Sequence, residues 1–185
     1  MATIDQVSEL ANVSLATVSC VMNGNAKVSD KKHEKELCHK NITCIAGPQY
    51  KFDAKARFKG YKRALAEYNI PFKEELFYSA DFKETGGSEG IAHIMSQQHK
   101  FTGLVCGNDE MASGAMNYAR ENGLSLPEDL SVVGFDDVIF ARYIHPKLTT
   151  ILNPVNEMGK MAAKLVLQEV YQIDKLNIQQ GGFAR

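Results

Sequence analysis

Nothing in the sequence approaches the roughly 18 consecutive apolar residues that a membrane-spanning helix requires, so no such helix is expected. Residues Met1 to Glu9 carry Asp5 and Glu9 and no apolar run, so no signal peptide is expected and a cytoplasmic location follows. The four cysteines, Cys20, Cys38, Cys44 and Cys106, include no C-x-x-C pair and are expected to be reduced thiols and not a disulfide framework. His33, Cys38, His39 and Cys44 cluster loosely, but the spacing matches no familiar zinc module and Cys44 falls in a strand pattern, so no metal site is expected. There is no P-loop, no G-x-G-x-x-G and no nucleophile–base constellation, which argues against an enzyme and against a cofactor. The adjacent aspartates Asp136 and Asp137 make only a thin case for hydrolysis. A net charge of −1 does not advertise a polyanion partner for the chain as a whole, so the local distribution of charge has to decide that question.

What is present is the balance of a globular protein, with 44% hydrophobic and 23% charged residues in 185 positions. That length suits a small domain beside a medium one. Three short helical units open the chain. Thr3 and Gln6 form a capping box ahead of Ile4, Val7, Leu10 and Ala11, which recur on one face. Ser14 caps a second helix running from Leu15 to about Met22, Asn23-Gly24-Asn25 is a turn, and Ser29 caps a third helix. Helix, tight turn, helix, loop, helix is the helix-turn-helix pattern.

From Asn41 onward strands and helices alternate. Strands are expected at Ile42 to Ala46, Leu76 to Ser79, Leu104 to Gly107, Val132 to Phe135 and Thr149 to Leu152. Helices are expected at Ala54 to Tyr68, around Gly90 to Gln97, at Met111 to Asn122 and at Val155 to Tyr171, the first of them basic and amphipathic. This order argues for right-handed βαβ units and a parallel sheet covered on both faces. In such open sheets ligands bind beyond the carboxyl ends of the strands. The residues there are Asp81 and Phe82, Asn108 and Asp109, and Asp136 and Asp137, with Arg57 on the helix after the first strand. Carboxylates, an amide and a guanidinium suit paired sugar hydroxyls, and an aromatic ring can cover the apolar face of a pyranose. Phe82 reads equally as core filler. Asp109 is expected to cap the helix beginning near Met111, Asp137 to hold its own turn, and His145, before Pro146, to be a turn residue.

The segment ATIDQVSELANVSLATVSCVMNGNAKVS resembles the DNA-binding head of the LacI repressor family, with A-T-I, A-N-V-S, A-T-V-S and N-G at fixed offsets over residues 2 to 29. The segments HKNITCIAGPQYKFDAKARFKGYKRAL, VCGNDEMASGA, LSVVGFDDVIFARYIHPKLTTI and EMGKMAA resemble the C-terminal half of the same family's effector domain, which is built like the periplasmic sugar-binding proteins. The resemblance implies an α/β protein: a small all-α helix-turn-helix head over residues 1–38, then a partial doubly wound parallel-sheet lobe of the periplasmic-binding-protein type over residues 39–185. It implies a repressor that reads operator DNA, responds to a small sugar and forms a homodimer through its C-terminal lobe. Leu15, Ala16 and Cys20 are implied to face the bases, Ser14, Thr17 and Ser19 the phosphates, and Arg57, Phe82, Asn108 and Asp136 the effector.

The pattern also departs from the family. The third helix runs directly into ELCHKNI, so the junction near residues 36 to 39 implies that the hinge helix and nearly all of the first lobe are missing. The apolar face of the last helix, Val155, Met158, Met161, Ala162, Leu165 and Val166, is then expected to lack its usual partner. Regulation is expected to be impaired. The remaining alternatives are a sugar-binding module and a dominant-negative dimerisation partner with no DNA binding of its own. Five lysines against five acids between residues 1 and 40 leave the head with little favourable counterion release. Cys20 stands where the family often has arginine, and a thiol cannot make the bidentate guanine contact, which discriminates by about 1–3 kcal/mol. Cys20→Arg is therefore expected to tighten binding to a selected operator, read by fluorescence anisotropy at low salt. Unchanged affinity would mean that this helix does not dock in the major groove.

Overall fold

The computed structural model describes residues 39–171. The three helices expected over residues 1–38, with the DNA-facing positions among them, lie outside the described residues. The first strand, β1 (Ile42–Ala46), has all five residues buried, as a strand covered on both faces by helices must. It is followed by α1 (Phe52–Glu67), β2 (Phe77–Ser79), α2 (Glu84–Ser96), β3 (Gly103–Cys106), α3 (Asp109–Glu121), β4 (Ser131–Asp136) and β5 (Thr149–Leu152). The strands form one sheet in the order β2-β1-β3-β4-β5, with every pairing parallel. The chain thus winds outward one way from β1 to β2 and the other way from β3 to β5. The order reverses between β1 and β3, the topological switch point where the loops part and a ligand can enter.

Strand alternation sends the apolar side chains of β1 to opposite faces. Ile42, Cys44 and Ala46 meet Tyr61 and Leu65 of α1, while Ile45 joins Ile91 and Ile94 of α2 and Met111, Ala112 and Ala115 of α3. The two polar groups that this places inside are both satisfied. The Thr43 hydroxyl donates to the Leu76 carbonyl at 2.7 Å, and the Tyr61 hydroxyl donates to the Ile42 carbonyl at 2.8 Å. Burial pushes the Cys44 thiol up to about 12, as befits a thiol packed in the core. The His39 Nδ1 pairs with the Thr102 hydroxyl at 2.7 Å.

All five expected strands form. The second is shorter than expected, because Leu76 closes a 3₁₀ turn (Glu74–Leu76) ahead of it. The helix expected around Gly90 begins six residues earlier, at Glu84, and runs through Gly86 and Gly87. Packing requires glycine at one of these positions. A Cβ at Gly87 would stand 2.0 Å from the Met111 carbonyl oxygen, so α2 and α3 touch backbone to backbone.

The last helix, α4 (Val155–Tyr171), belongs to a separate unit that begins at Asn153. Its apolar side chains Val155, Met158, Leu165, Val166 and Val170 are each more than half exposed. Among the described residues no helix is long and apolar enough to cross a membrane. Gly87→Val is expected to force α2 and α3 apart and to cost about 3 kcal/mol of stability, read as a shifted urea midpoint. A variant as stable as the parent would show that the two backbones do not meet there.

Candidate effector site

Arg57 leaves α1 beneath the switch point, and the fold gathers other groups around it. Its Nη1 donates to the Gly107 carbonyl at the end of β3 at 2.5 Å, and its Nη2 lies 3.7 Å from Asp53 and 3.8 Å from Asp136. The guanidinium carbon sits 3.9 Å from the centroid of Phe135 and 5.7 Å from that of Phe82. A planar, delocalised cation can stack on a ring and still hold acceptors at its edge, an arrangement that lysine could not reproduce. The guanidinium therefore joins the carboxyl ends of β3 and β4, and the side chain is 24% exposed, which leaves it accessible from the cleft.

Phe82 follows β2 with a φ of 73°, in the left-handed region that a bulky residue rarely occupies. Its ring lies directly on Gly47, where any Cβ would stand 2.0 Å from the ring edge. The Lys51 Nζ is 5.4 Å from the ring centroid. The ring also packs against the core cluster under α2 and α3 while remaining partly exposed, so filler and platform are two faces of one side chain.

Asn108, 9% exposed, is the N-cap of α3: its Oδ1 accepts from the Met111 N–H at 3.0 Å and its Nδ2 donates to the Phe82 carbonyl at 2.8 Å. The cap expected at Asp109 is thus one residue earlier. Asp109 is fully buried and serves a more distant purpose. Its carboxylate accepts from the Val138 N–H at 2.9 Å and from the Thr150 hydroxyl at 2.5 Å. It lies so close to β4 that a Cβ on Gly134 would stand 2.2 Å from Oδ1. Thr150 in turn accepts from the Asp137 N–H at 3.3 Å. One carboxylate and one hydroxyl therefore hold the turn in which Asp136 and Asp137, at φ 121° and 51°, depart from ordinary backbone geometry. Asp136 is the last residue of β4 and not a residue beyond it. Asp137, as expected, holds its own turn by pairing with Arg142 at 2.8 Å. The His145 carbonyl accepts from Arg120, consistent with a turn residue.

The structure brings Arg57, Phe82 and Asp136 together and ties Asn108 to Phe82. It adds Lys51, Phe135 and Thr150, which the sequence did not single out. Phe135 read as one more apolar strand residue; its half-burial immediately before Asp136 marks it as facing the cleft side.

Two family models match the chain. Residues 3–35 match "Bacterial regulatory proteins, lacI family", and residues 32–179 match "Periplasmic binding protein-like domain". This protein belongs to the LacI family. The chain is 36% identical over 141 residues to the HTH-type transcriptional repressor PurR of Glaesserella parasuis, covering 76% of this chain and 42% of that protein. It is 38% identical over 136 residues to the HTH-type transcriptional regulator GalR of Salmonella typhimurium, covering 74% and 40%. Among solved structures, the Escherichia coli transcriptional repressor ascG superposes with a TM-score of 0.74 at 30% identity, covering 88% of this chain and 54% of that one. The Lac repressor dimer bound to operator and the anti-inducer ONPF gives 0.68 at 29%, covering 74% and 47%. The transcriptional regulator CelR in complex with cellobiose gives 0.69 at 28%, covering 73% and 41%. The LacI-type chain in hand spans about 40% of the length of the curated relatives it matches.

The buried Asp109 gives the site a pH signature. Burial, with the charges of Asp136 and Asp137 adding to it, holds this carboxyl above its ordinary range despite the two hydrogen bonds it accepts. A raised pKa in the folded state means that folding favours the protonated form. Its contribution to stability is complete below about pH 4 and is lost as pH rises through the raised value. In Asp109→Asn that loss is absent, so between pH 4 and pH 7 the variant's melting temperature should change less in the destabilising direction than the parent's. Parallel pH profiles would contradict the assignment.

Proposed function

We propose that this chain is a DNA-binding transcriptional regulator of the repressor type whose effector is a small sugar. The observation that carries the effector reading is the convergence of Arg57, Asp136 and Phe82 at the switch point of the sheet. The guanidinium and the Asp136 carboxylate, 3.8 Å apart, can exchange part of that contact for adjacent ring hydroxyls, one donating and the other accepting. Phe82 covers an apolar sugar face. Asn108, whose carbonyl and one N–H are engaged within the protein, offers its remaining N–H. CelR, bound to cellobiose, supports this class of ligand by analogy.

In the same reading residues 1–38 form the DNA-binding head. Leu15, Ala16 and Cys20 meet the bases, and Ser14, Thr17 and Ser19 meet the phosphates. Residues 39–185 form the effector lobe. The lobe also carries the dimer contact, for which Ile139 and Tyr143, 75% and 79% exposed and four residues apart, are two of the exposed apolar groups. The Lac repressor relative is itself a dimer on operator. With one lobe in place of two, the site covers one side of a sugar where a clamshell covers both, so binding is weak and coupling to DNA is impaired. The exposed α4 face and Tyr143 favour a second reading, in which the chain pairs with an intact relative and blocks it.

Isothermal titration against a panel of simple sugars tests the effector reading. One sugar is expected to bind, and Arg57→Met is expected to weaken it at least tenfold, about 1.4 kcal/mol. Equal affinity in the variant, or no binding by the parent to any sugar, overturns the effector assignment. Selection of binding sequences from a random DNA pool tests the head independently, since an enriched, two-fold related sequence is expected.

A further inference from the structure

The outer face of α1, counted from its N-cap Lys51, carries five cations with no acid among them. Lys51, Lys55, Lys59, Lys62 and Arg63 are all exposed. At 3.6 residues per turn they fall within a sector about 120° wide. The buried Ala54, Tyr61 and Leu65 occupy the opposite side. The two acids of the helix, Asp53 and Glu67, fall outside that sector. Asp53 faces Arg57 at 3.7 Å, and Glu67 meets Arg63 at the sector's edge at 3.6 Å. Lys51, Lys55, Lys59 and Arg63 follow one another at intervals of four residues, so the row advances about 6 Å per cation and spans about 18 Å. Lys62 is braced over the rings of Phe58 and Phe72, 4.7 and 5.4 Å from their centroids, which holds one of the five charges in place.

This concentration contrasts with the rest of the chain. The net charge is −1, and residues 1–40 balance five lysines against five acids. A head without excess positive charge draws little affinity from counterion release. The α1 face is a straight row of cations at regular spacing on a rigid helix, and its charge complement is a regular polyanion. We propose that the Lys51–Arg63 face of α1 binds the phosphate backbone of duplex DNA without regard to sequence, supplying an electrostatic contact that the head lacks. The choice of polyanion rests on the DNA-binding reading given above; the contact itself needs neither the head nor the effector.

The test uses the full chain and a random-sequence 20-base-pair duplex, with affinity followed by fluorescence anisotropy as salt is raised. Each phosphate contact contributes about 0.9 to the slope of log affinity against log salt. Lys55→Gln/Lys59→Gln is expected to reduce the slope by about 1.8. Lys100→Gln/Lys147→Gln, the same charge change at exposed positions off α1, is expected to leave it unchanged. Ala16→Pro, which breaks the expected reading helix, is expected to abolish any sequence preference while keeping the random-duplex slope. Equal slopes for the two lysine pairs overturn the proposal, as does the absence of duplex binding at 50 mM salt. Binding of polyglutamate in place of the duplex also overturns it and assigns the face to an acidic protein. Failure of the head appears separately, as a parent chain with no sequence preference.

Discussion

The buried carboxylate of Asp109 is the constraint on which the site depends. It stands at the first turn of α3, yet its two partners come from 29 and 41 residues further along the chain. By accepting from Val138 and Thr150 it ties a helix, the turn after β4 and the strand β5 into one block, and it fixes the turn in which Asp136 and Asp137 take positive φ. Burial makes this expensive, because the neighbouring Asp136 and Asp137 add like charge to the desolvation of the group. The cost is offset where it is useful. With the turn fixed, the Asp136 carboxylate stands 3.8 Å from Arg57 and opposes it across the switch point.

Much of this was legible in the sequence, for identifiable reasons. Parallel strands covered on both faces appear as short continuous apolar runs, and β1, β3, β4 and β5 were all visible in that form. The rule that ligands lie beyond strand ends points to Asp81, Phe82, Asn108, Asp109, Asp136 and Asp137, with Arg57 on the helix after β1, and the resemblance to the LacI family narrows these to Arg57, Phe82, Asn108 and Asp136. What was not legible depends on distant contacts. Asn108 and Asp109 are adjacent, and either can cap a helix. Asn108 caps because Asp109 is drawn away by Thr150 and Val138. The start of α2 was hidden by glycines whose purpose, close approach to Met111, appears only once α3 is in place. The positive φ of Phe82 has no local sequence signal, because the ring's seat on Gly47 lies 35 positions earlier in the chain.

The fold also shows what half of a clamshell can retain. The sheet, its two core clusters and the residues gathered at the strand ends all lie within residues 42–152. The apolar side chains of α4 have no comparable cover. A regulator needs both a site and a second state for that site to select. In the function proposed above, the strand ends supply the site.

Residues 42–152 are expected to fold as one cooperative unit that holds Arg57, Phe82 and Asp136 together at the strand ends. Thermal unfolding of the purified chain, followed in parallel by far-ultraviolet and near-ultraviolet circular dichroism, tests it most directly. One transition, coincident by both probes, is expected, because β1 joins the two core clusters that hold Tyr61 and Tyr78, sending Ile45 into one and Ile42, Cys44 and Ala46 into the other. A broad far-ultraviolet melt with no near-ultraviolet transition would contradict it, since the strand ends could not then hold Arg57 and Asp136 in a fixed relation.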